Sequence, residues 1–135
     1  MQRWLSLVLL IGLGCCSPGS TTTTDVAIQF EVLSTGKDIN LEDHVKPGHF
    51  TVFDFYADWC PPCKELDKSL VGLKKTYGDR LVVYKLDIVN WDSELAQAKG
   101  IGSLPYLAVY NEKGELIASE PSNKSLPKLI HHLNL

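Results

Sequence analysis

Several features that would classify the chain at once are missing. Of its four cysteines only Cys60 and Cys63 lie beyond residue 16. A structural zinc site wants four ligands, usually as two such pairs, and no second pair follows. The histidines, His44, His49, His131 and His132, have no ligand spacing relative to Cys60. Met1 is the only methionine, so the thioethers that would help two thiolates hold Cu(I) are lacking. There is no basic stripe: 13 basic and 16 acidic residues are mixed along the sequence for a formal net charge of −3, which argues against a nucleic-acid partner. There is no internal repeat, and the threonines at 21–24 are the only low-complexity run. The apolar run from Trp4 to Leu13 is too short to span a bilayer comfortably. What remains after residue 24 has the usual size of one domain and no room for a second.

Residues 1–16 read as an export signal, with Arg3 as their lone charge and small residues at Gly12 and Gly14 after the apolar run. Cys15 and Cys16 follow, and residues 17–24 form a polar tether that cannot pack. A cysteine at the cleavage point ahead of such a tether resembles a bacterial lipoprotein. That resemblance implies cleavage before Cys15 and lipid on its thiol, although Gly12 stands where the pattern prefers leucine. Taking Cys16 as the lipid site places Leu13 correctly but puts Cys15 where a small residue is expected. Plain secretion is the other reading. Both place the domain at residues 25–135 outside the cytoplasm, in a bacterial periplasm or cell envelope, where a dithiol must be maintained by partners.

The run Asp58-Trp59-Cys60-Pro61-Pro62-Cys63-Lys64 follows directly on Phe53-Asp54-Phe55-Tyr56-Ala57. Two cysteines two residues apart, where a strand gives way to a helix, can close into a disulfide and reopen without moving the rest of the fold. Neither proline has an N–H, so both suit the first helical turn, where amide donors lack partners. Cys60 then sits at the helix start, where free amides and the macrodipole favour a thiolate, which makes it the candidate nucleophile. Cys63, one turn in, suits the thiol that resolves a mixed disulfide. A purely structural role is weak, since so small a loop hardly constrains the unfolded chain.

Alternation at Val26, Ile28, Phe30 and Val32 predicts a strand over 26–32, and Ile39, Leu41 and Val45 a short helix over 38–46 ended by Pro47-Gly48. Residues 50–56 are almost continuously apolar, as in a central strand covered on both faces. Leu66, Leu70 and Leu73 predict a helix over 63–77, with Gly78 as its stop. A strand over 81–86 and a short helix over 93–99 follow. Strands over 105–110 and 115–119 flank a hairpin connection, and Leu126, Leu129, Ile130 and Leu133 mark a last amphipathic helix. This order implies an α/β fold with a mixed central sheet and helices on both faces.

In order and motif, residues 25–135 resemble the thioredoxin family: the strand into Trp59-Cys60, the strand at Lys85-Leu86-Asp87, and the loop Gly100-Ile101-Gly102-Ser103-Leu104-Pro105. Tyr56-Ala57-Asp58-Trp59-Cys60 and Cys63-Lys64-Glu65 are also similar to the exported C-terminal domain of the transmembrane thiol:disulfide interchange protein.

The resemblance implies a thioredoxin fold, a redox-active Cys60–Cys63 disulfide, and Asp54 as a buried acid beneath it. An isolated carboxyl on an apolar strand, six residues before Cys60, should be desolvated with a raised pKa; a carboxylate capping backbone amides is the plainer reading. Lys85 is implied as the lysine near that acid, against the ordinary reading of a solvated face. Trp59 would shield Cys60 or simply pack on the helix. Pro105 is implied as the cis proline beside the disulfide, with the backbone of Leu104 free to pair with substrate. Tyr56 stands where the family often has tryptophan, and residues 120–124, read as the loop before the last helix, lack the family's glycine.

The expected function is an exported thiol-disulfide oxidoreductase exchanging two electrons between Cys60/Cys63 and cysteines of other proteins. Reduction or isomerisation is favoured, because Leu104 before the proline resembles membrane-linked reductases. Expected partners are protein thiols and disulfides, a membrane-linked electron donor and, through lipid, a membrane; no cofactor and no metal site is expected. The alternative is a metallochaperone holding Cu(I) between the same two thiolates. A non-catalytic docking domain would not need both cysteines.

Overall fold

A strand buried on both faces sets the architecture. The computed structural model describes residues 27–135, so the expected signal segment, Cys15, Cys16, the expected tether and Val26 lie outside the described residues. Five strands, β1 (Glu31–Thr35), β2 (Phe50–Tyr56), β3 (Leu81–Asp87), β4 (Tyr106–Tyr110) and β5 (Leu116–Pro121), form one sheet in the order β1-β3-β2-β4-β5. Three α-helices accompany them: α1 (Pro61–Tyr77), α2 (Glu94–Lys99) and α3 (Ser122–Leu133). β3 pairs parallel with β1 and β2, while β4 pairs antiparallel with β2 and β5. This is the mixed sheet that the element order implied.

Side chains of β2 alternate between two cores, as strand geometry requires. Phe53 and Phe55 join Tyr84, Leu86, Leu95 and Ile101 on the α2 side. Phe50 and Val52 join Leu70, Leu81, Leu107 and Leu129 on the side covered by α1 and α3. The parity of β2 puts Asp54 on that second side, and the β2–β3 register sets it directly opposite Lys85.

Three expectations are corrected. The first strand begins at Glu31 rather than Val26, with Ala27 to Phe30 outside any strand. β1 is an edge strand with Glu31 and Val32 exposed and an irregularity between Val32 and Ser34, so apolar alternation is a poor guide to its position. The helix expected over 38–46 is one 3₁₀ turn, Leu41–His44, started by the Asn40 side chain accepting from the Glu42 amide. It stops at extended Val45, shortly before Pro47, which disfavours helical backbone at the preceding residue. No loop separates the last strand from the last helix: β5 runs to Pro121 and α3 starts at Ser122. Ser125 Oγ donates to the carbonyls of Glu120 and Pro121 at 3.3 Å each, which fastens that junction. The remaining boundaries agree within two residues.

Gly100 ends α2 in the left-handed region at φ 64°, its N–H reaching the Ala96 and Gln97 carbonyls, a conformation natural to glycine. The fold rests on interior contacts such as Leu107, which has no exposed surface. Leu107→Ala is expected to lower the unfolding free energy by about 3 kcal/mol. Urea denaturation of the oxidised protein should show an earlier midpoint at unchanged slope, and a loss below about 1 kcal/mol would contradict the packing described.

Candidate functional site

Cys60 is the N-cap of α1, followed by Pro61 and Pro62 in the first turn, where no acidic residue offsets the helix dipole. Cys60 and Cys63 are joined by a disulfide with their Cα atoms 5.4 Å apart. Cys60 Sγ accepts from the Cys63 amide at 3.2 Å. In the reduced state this N–H and the positive helix end stabilise a thiolate on Cys60. The two sulfur residues are buried almost equally: Cys60 is 5 % exposed and Cys63 2 %.

Asp54 has no exposed surface. Among the described residues neither of its carboxylate oxygens has a hydrogen-bond partner, so the amide-capping reading is set aside. Lys85 Nζ stands 3.6 Å from Asp54 Oδ2, within ion-pair range but beyond a hydrogen bond. Burial pushes the Asp54 carboxyl up to about 7; Lys85 opposes that rise and Asp67 adds to it. Lys85 is not a solvated surface lysine. It donates to Asp67 Oδ1 at 2.6 Å and lies 4.4 Å from the centre of the Tyr56 ring. Burial and the charges of Asp87, Asp58, Asp54 and Asp67 push the Tyr56 phenol up.

A cavity of about 310 Å³ opens beside Cys63, lined also by Tyr56, Asp58, Asp67 and Lys85. A second groove, of about 490 Å³, runs between Pro62 and Leu66 on one side and Leu104, Pro105, Ser122 and Leu126 on the other. The Leu104–Pro105 peptide is cis, and the Pro105 carbonyl accepts from the Ser122 N–H at 3.0 Å. The structure thus brings Cys60, Cys63, Leu104 and Pro105 to one end of the sheet, with Asp54 and Lys85 in the layer beneath α1.

Trp59 packs against a loop rather than on the helix. Its Nε1 donates to the Val89 carbonyl at 2.7 Å, and its ring meets Trp91 edge-on, 5.4 Å between centroids. Val89 has φ 63°, an outlier for a β-branched residue that costs on the order of 1–3 kcal/mol. The turn is held by Asp87 Oδ1, which accepts from the Val89 N–H at 2.8 Å.

Sequence reasoning missed Asp67, Val89 and Trp91. Asp67 lies four residues after Cys63, hence on the same helix face, a spacing that was the available signal. Trp91, in a polar stretch between strand and helix, offered only its residue type. Nothing in the sequence marked Val89 for a left-handed backbone.

The family model described as Thioredoxin matches residues 32–134. The chain is 30% identical over 107 residues to the thioredoxin-like protein HCF164, chloroplastic, of Arabidopsis thaliana, covering 75% of this chain and 40% of that protein. It is 32% identical over 79 residues to the thioredoxin-like protein slr1139 of Synechocystis, covering 58% of this chain and 71% of that one. The structure of Trichomonas vaginalis thioredoxin superposes with a TM-score of 0.58 at 21% identity, covering 76% of this chain and 95% of that one, a likeness of fold. The chain thus spans less than half the length of the plant relative.

The buried acid has a consequence for stability. Folding raises the Asp54 pKa from 3.8 to about 7, so its contribution is fully present below about 3.8. It is lost as the unfolded chain ionises first and the pH climbs through about 7. The loss is on the order of 4 kcal/mol for a change from 3.8 to about 7. Asp54→Asn cannot ionise and is expected to gain stability relative to wild type between about pH 4 and about pH 8. Urea unfolding of both oxidised proteins across that window is the check, and a constant difference would refute the raised pKa.

Proposed function

Because this chain belongs to the thioredoxin family, we propose that it is a thiol-disulfide oxidoreductase acting on protein partners through Cys60 and Cys63. The observation that carries this reading is the Cys60–Cys63 disulfide at the N-terminus of α1. In the reduced protein the Cys60 thiolate attacks a partner disulfide, forming a mixed disulfide and expelling one partner thiolate. Cys63, deprotonated, then attacks Cys60 Sγ, releasing the second partner thiolate and leaving Cys60–Cys63 oxidised. The partner gains two electrons.

Asp54 is assigned as acceptor of the Cys63 proton. A carboxyl held near 7 can take and return a proton at neutral pH, and the cavity beside Cys63 and Lys85 has room for a bridging water. Lys85 and Asp67 position that acid. Leu104 and Pro105 wall the groove that receives an extended partner segment. Reduction is the direction proposed, on the resemblance of Leu104-Pro105 to membrane-linked reductases, with a membrane-linked donor restoring the dithiol.

The roles of the two cysteines separate in a trapping experiment. Cys63→Ser is expected to accumulate partner proteins as mixed disulfides through Cys60, while Cys60→Ser accumulates few. Non-reducing gels of cells expressing each variant provide the check, and equal trapping by both would refute the assignment. A Cu(I) carrier using the same thiolates would trap no partner with either variant. Among the described residues no group of three or more His, Cys, Asp or Glu gathers as metal ligands, so such a carrier would depend on the two thiolates alone.

Export and a lipid anchor at Cys15 complete the proposal. Their support is the sequence: the apolar run at 4–13, the cysteine after it, and the polar tether at 17–24. Among the described residues no helix is long and apolar enough to cross a membrane. Mass spectrometry of the mature N-terminus should find diacylglycerol on Cys15, and an unmodified terminus beginning beyond Cys16 would mean plain secretion.

A further inference from the structure

Large apolar side chains are exposed together at one place beside the disulfide. Trp59 is 51 %, Val89 42 % and Trp91 42 % exposed. The two indoles touch, and Trp59 is bonded to the Val89 carbonyl. An apolar surface of this kind marks an interaction site when its geometry is fixed, and here it is. Asp87 holds the Val89 N–H at 2.8 Å, the Asn90 N–H reaches the Ile88 carbonyl at 2.7 Å, and Gln97 Nε2 donates to the Trp91 carbonyl at 2.7 Å.

The loop that carries Val89 and Trp91 has one sign of charge. Between Lys85 and Lys99 the chain carries Asp87, Asp92 and Glu94 and no cation, and Asp58 immediately precedes Trp59. Glu94 is paired with Lys37 at 3.5 Å, which leaves Asp58, Asp87 and Asp92 as the acidic rim. Lys64, Lys68 and Lys85 line the cavity on the Cys63 side of Asp58, and Lys37 is taken up by Glu94.

We propose that Trp59, Val89 and Trp91, rimmed by Asp58, Asp87 and Asp92, dock a partner-protein segment bearing a large apolar side chain beside a lysine or arginine, near the cysteine presented to Cys60. The inference rests on the oxidoreductase reading and names its substrate class. An exposed indole face attracts a cation as well as an apolar group, and the acidic rim repels an anionic segment. Trp59 adjoins Cys60 in sequence. A partner residue two or three positions from its own cysteine, at roughly 3.3 Å per residue in extended chain, therefore reaches the patch while its sulfur meets Cys60.

The test uses the pre-reduced protein in single turnover with symmetric disulfides of three cysteine peptides, flanked by Leu and Lys, by Leu and Glu, or by Ser and Gly. Each reaction converts one peptide disulfide to two thiols and oxidises Cys60/Cys63, so no other reductant is needed. Rate constants are divided by those for dithiothreitol to remove differences in intrinsic reactivity. Wild type should favour the Leu-Lys over the Leu-Glu peptide by about tenfold, with the gap shrinking as salt rises from about 0.02 M to about 0.5 M. Trp91→Ala should cut the advantage of Leu-Lys over Ser-Gly to within about twofold, with Trp91→Phe retaining most of it. Asp92→Asn should narrow the Lys/Glu gap without disturbing the rings. Equal rates for Leu-Lys and Leu-Glu in wild type, or a Trp91→Ala protein slowed equally on all three peptides, would overturn the proposal. Hydroxyethyl disulfide, too small to reach the patch, tests the underlying activity in wild type. Failure to reduce it or any peptide would remove the oxidoreductase reading and this inference together.

Discussion

The parallel register of β2 on β3 is the constraint on which the site depends. It sets Asp54 opposite Lys85 on the face closed by Leu70 of α1 and Leu129 of α3. A carboxyl in that layer loses water and gains no hydrogen bond, so burial dominates its acidity. The nearby ammonium could offset this, but Asp67 holds Lys85 Nζ at 2.6 Å while Asp54 stands 3.6 Å away. Burial, only partly offset by a lysine shared with Asp67, keeps the inner carboxyl from ionising fully at neutral pH. A slip of one residue in the register would turn Asp54 toward the other core and dismantle the arrangement.

The sulfur chemistry is set by a different part of the backbone. Cys60 occupies the turn out of β2 and caps α1, so the Cys63 amide, the first N–H of the helix, donates to its sulfur without any side chain being recruited. Pro61 and Pro62 occupy positions whose N–H would have no intrahelical partner, and their fixed φ limits the ways the first turn can unwind. The roles proposed for Cys60 and Asp54 thus draw on separate sources, backbone dipoles in one case and desolvation in the other. One can be altered without abolishing the other.

Much of this was legible in the sequence because it rests on periodicity and on anomaly. The continuous apolar run of β2, the leucines of α1 and the glycine after α2 announce their elements, and Asp54 is conspicuous because it interrupts such a run. The edge strand β1 was misplaced since half of it faces solvent and apolar alternation carries little information there. The 3₁₀ turn at Leu41–His44 was overestimated as a helix because, of Ile39, Leu41 and Val45, only the last two stand at helical spacing, and one such pair does not ensure that the hydrogen bonds continue. Asp67 was invisible as a partner of Lys85 for a simpler reason. Both residue types are at home on any surface, and only the stacking of α1 over β3 brings them together.

The loop after β3 shows the same limit from another direction. Val89 adopts a left-handed backbone that its own side chain disfavours, and the local sequence offers no glycine to relieve it. What holds it there is distributed: the Asp87 carboxylate on its N–H, the Trp59 indole on its carbonyl, and the absence of a side chain at Gly36, where a Cβ would come within 3.3 Å of a Val89 methyl carbon. These three contributions come from β3, from the residue before Cys60 and from the end of β1. The strained turn therefore ties the orientation of Trp59 to the two parallel strands, and it holds the exposed Trp59 ring one residue from Cys60. On the proposed roles, partner choice rests on the loop at the rim of the site and proton transfer on the acid beneath α1.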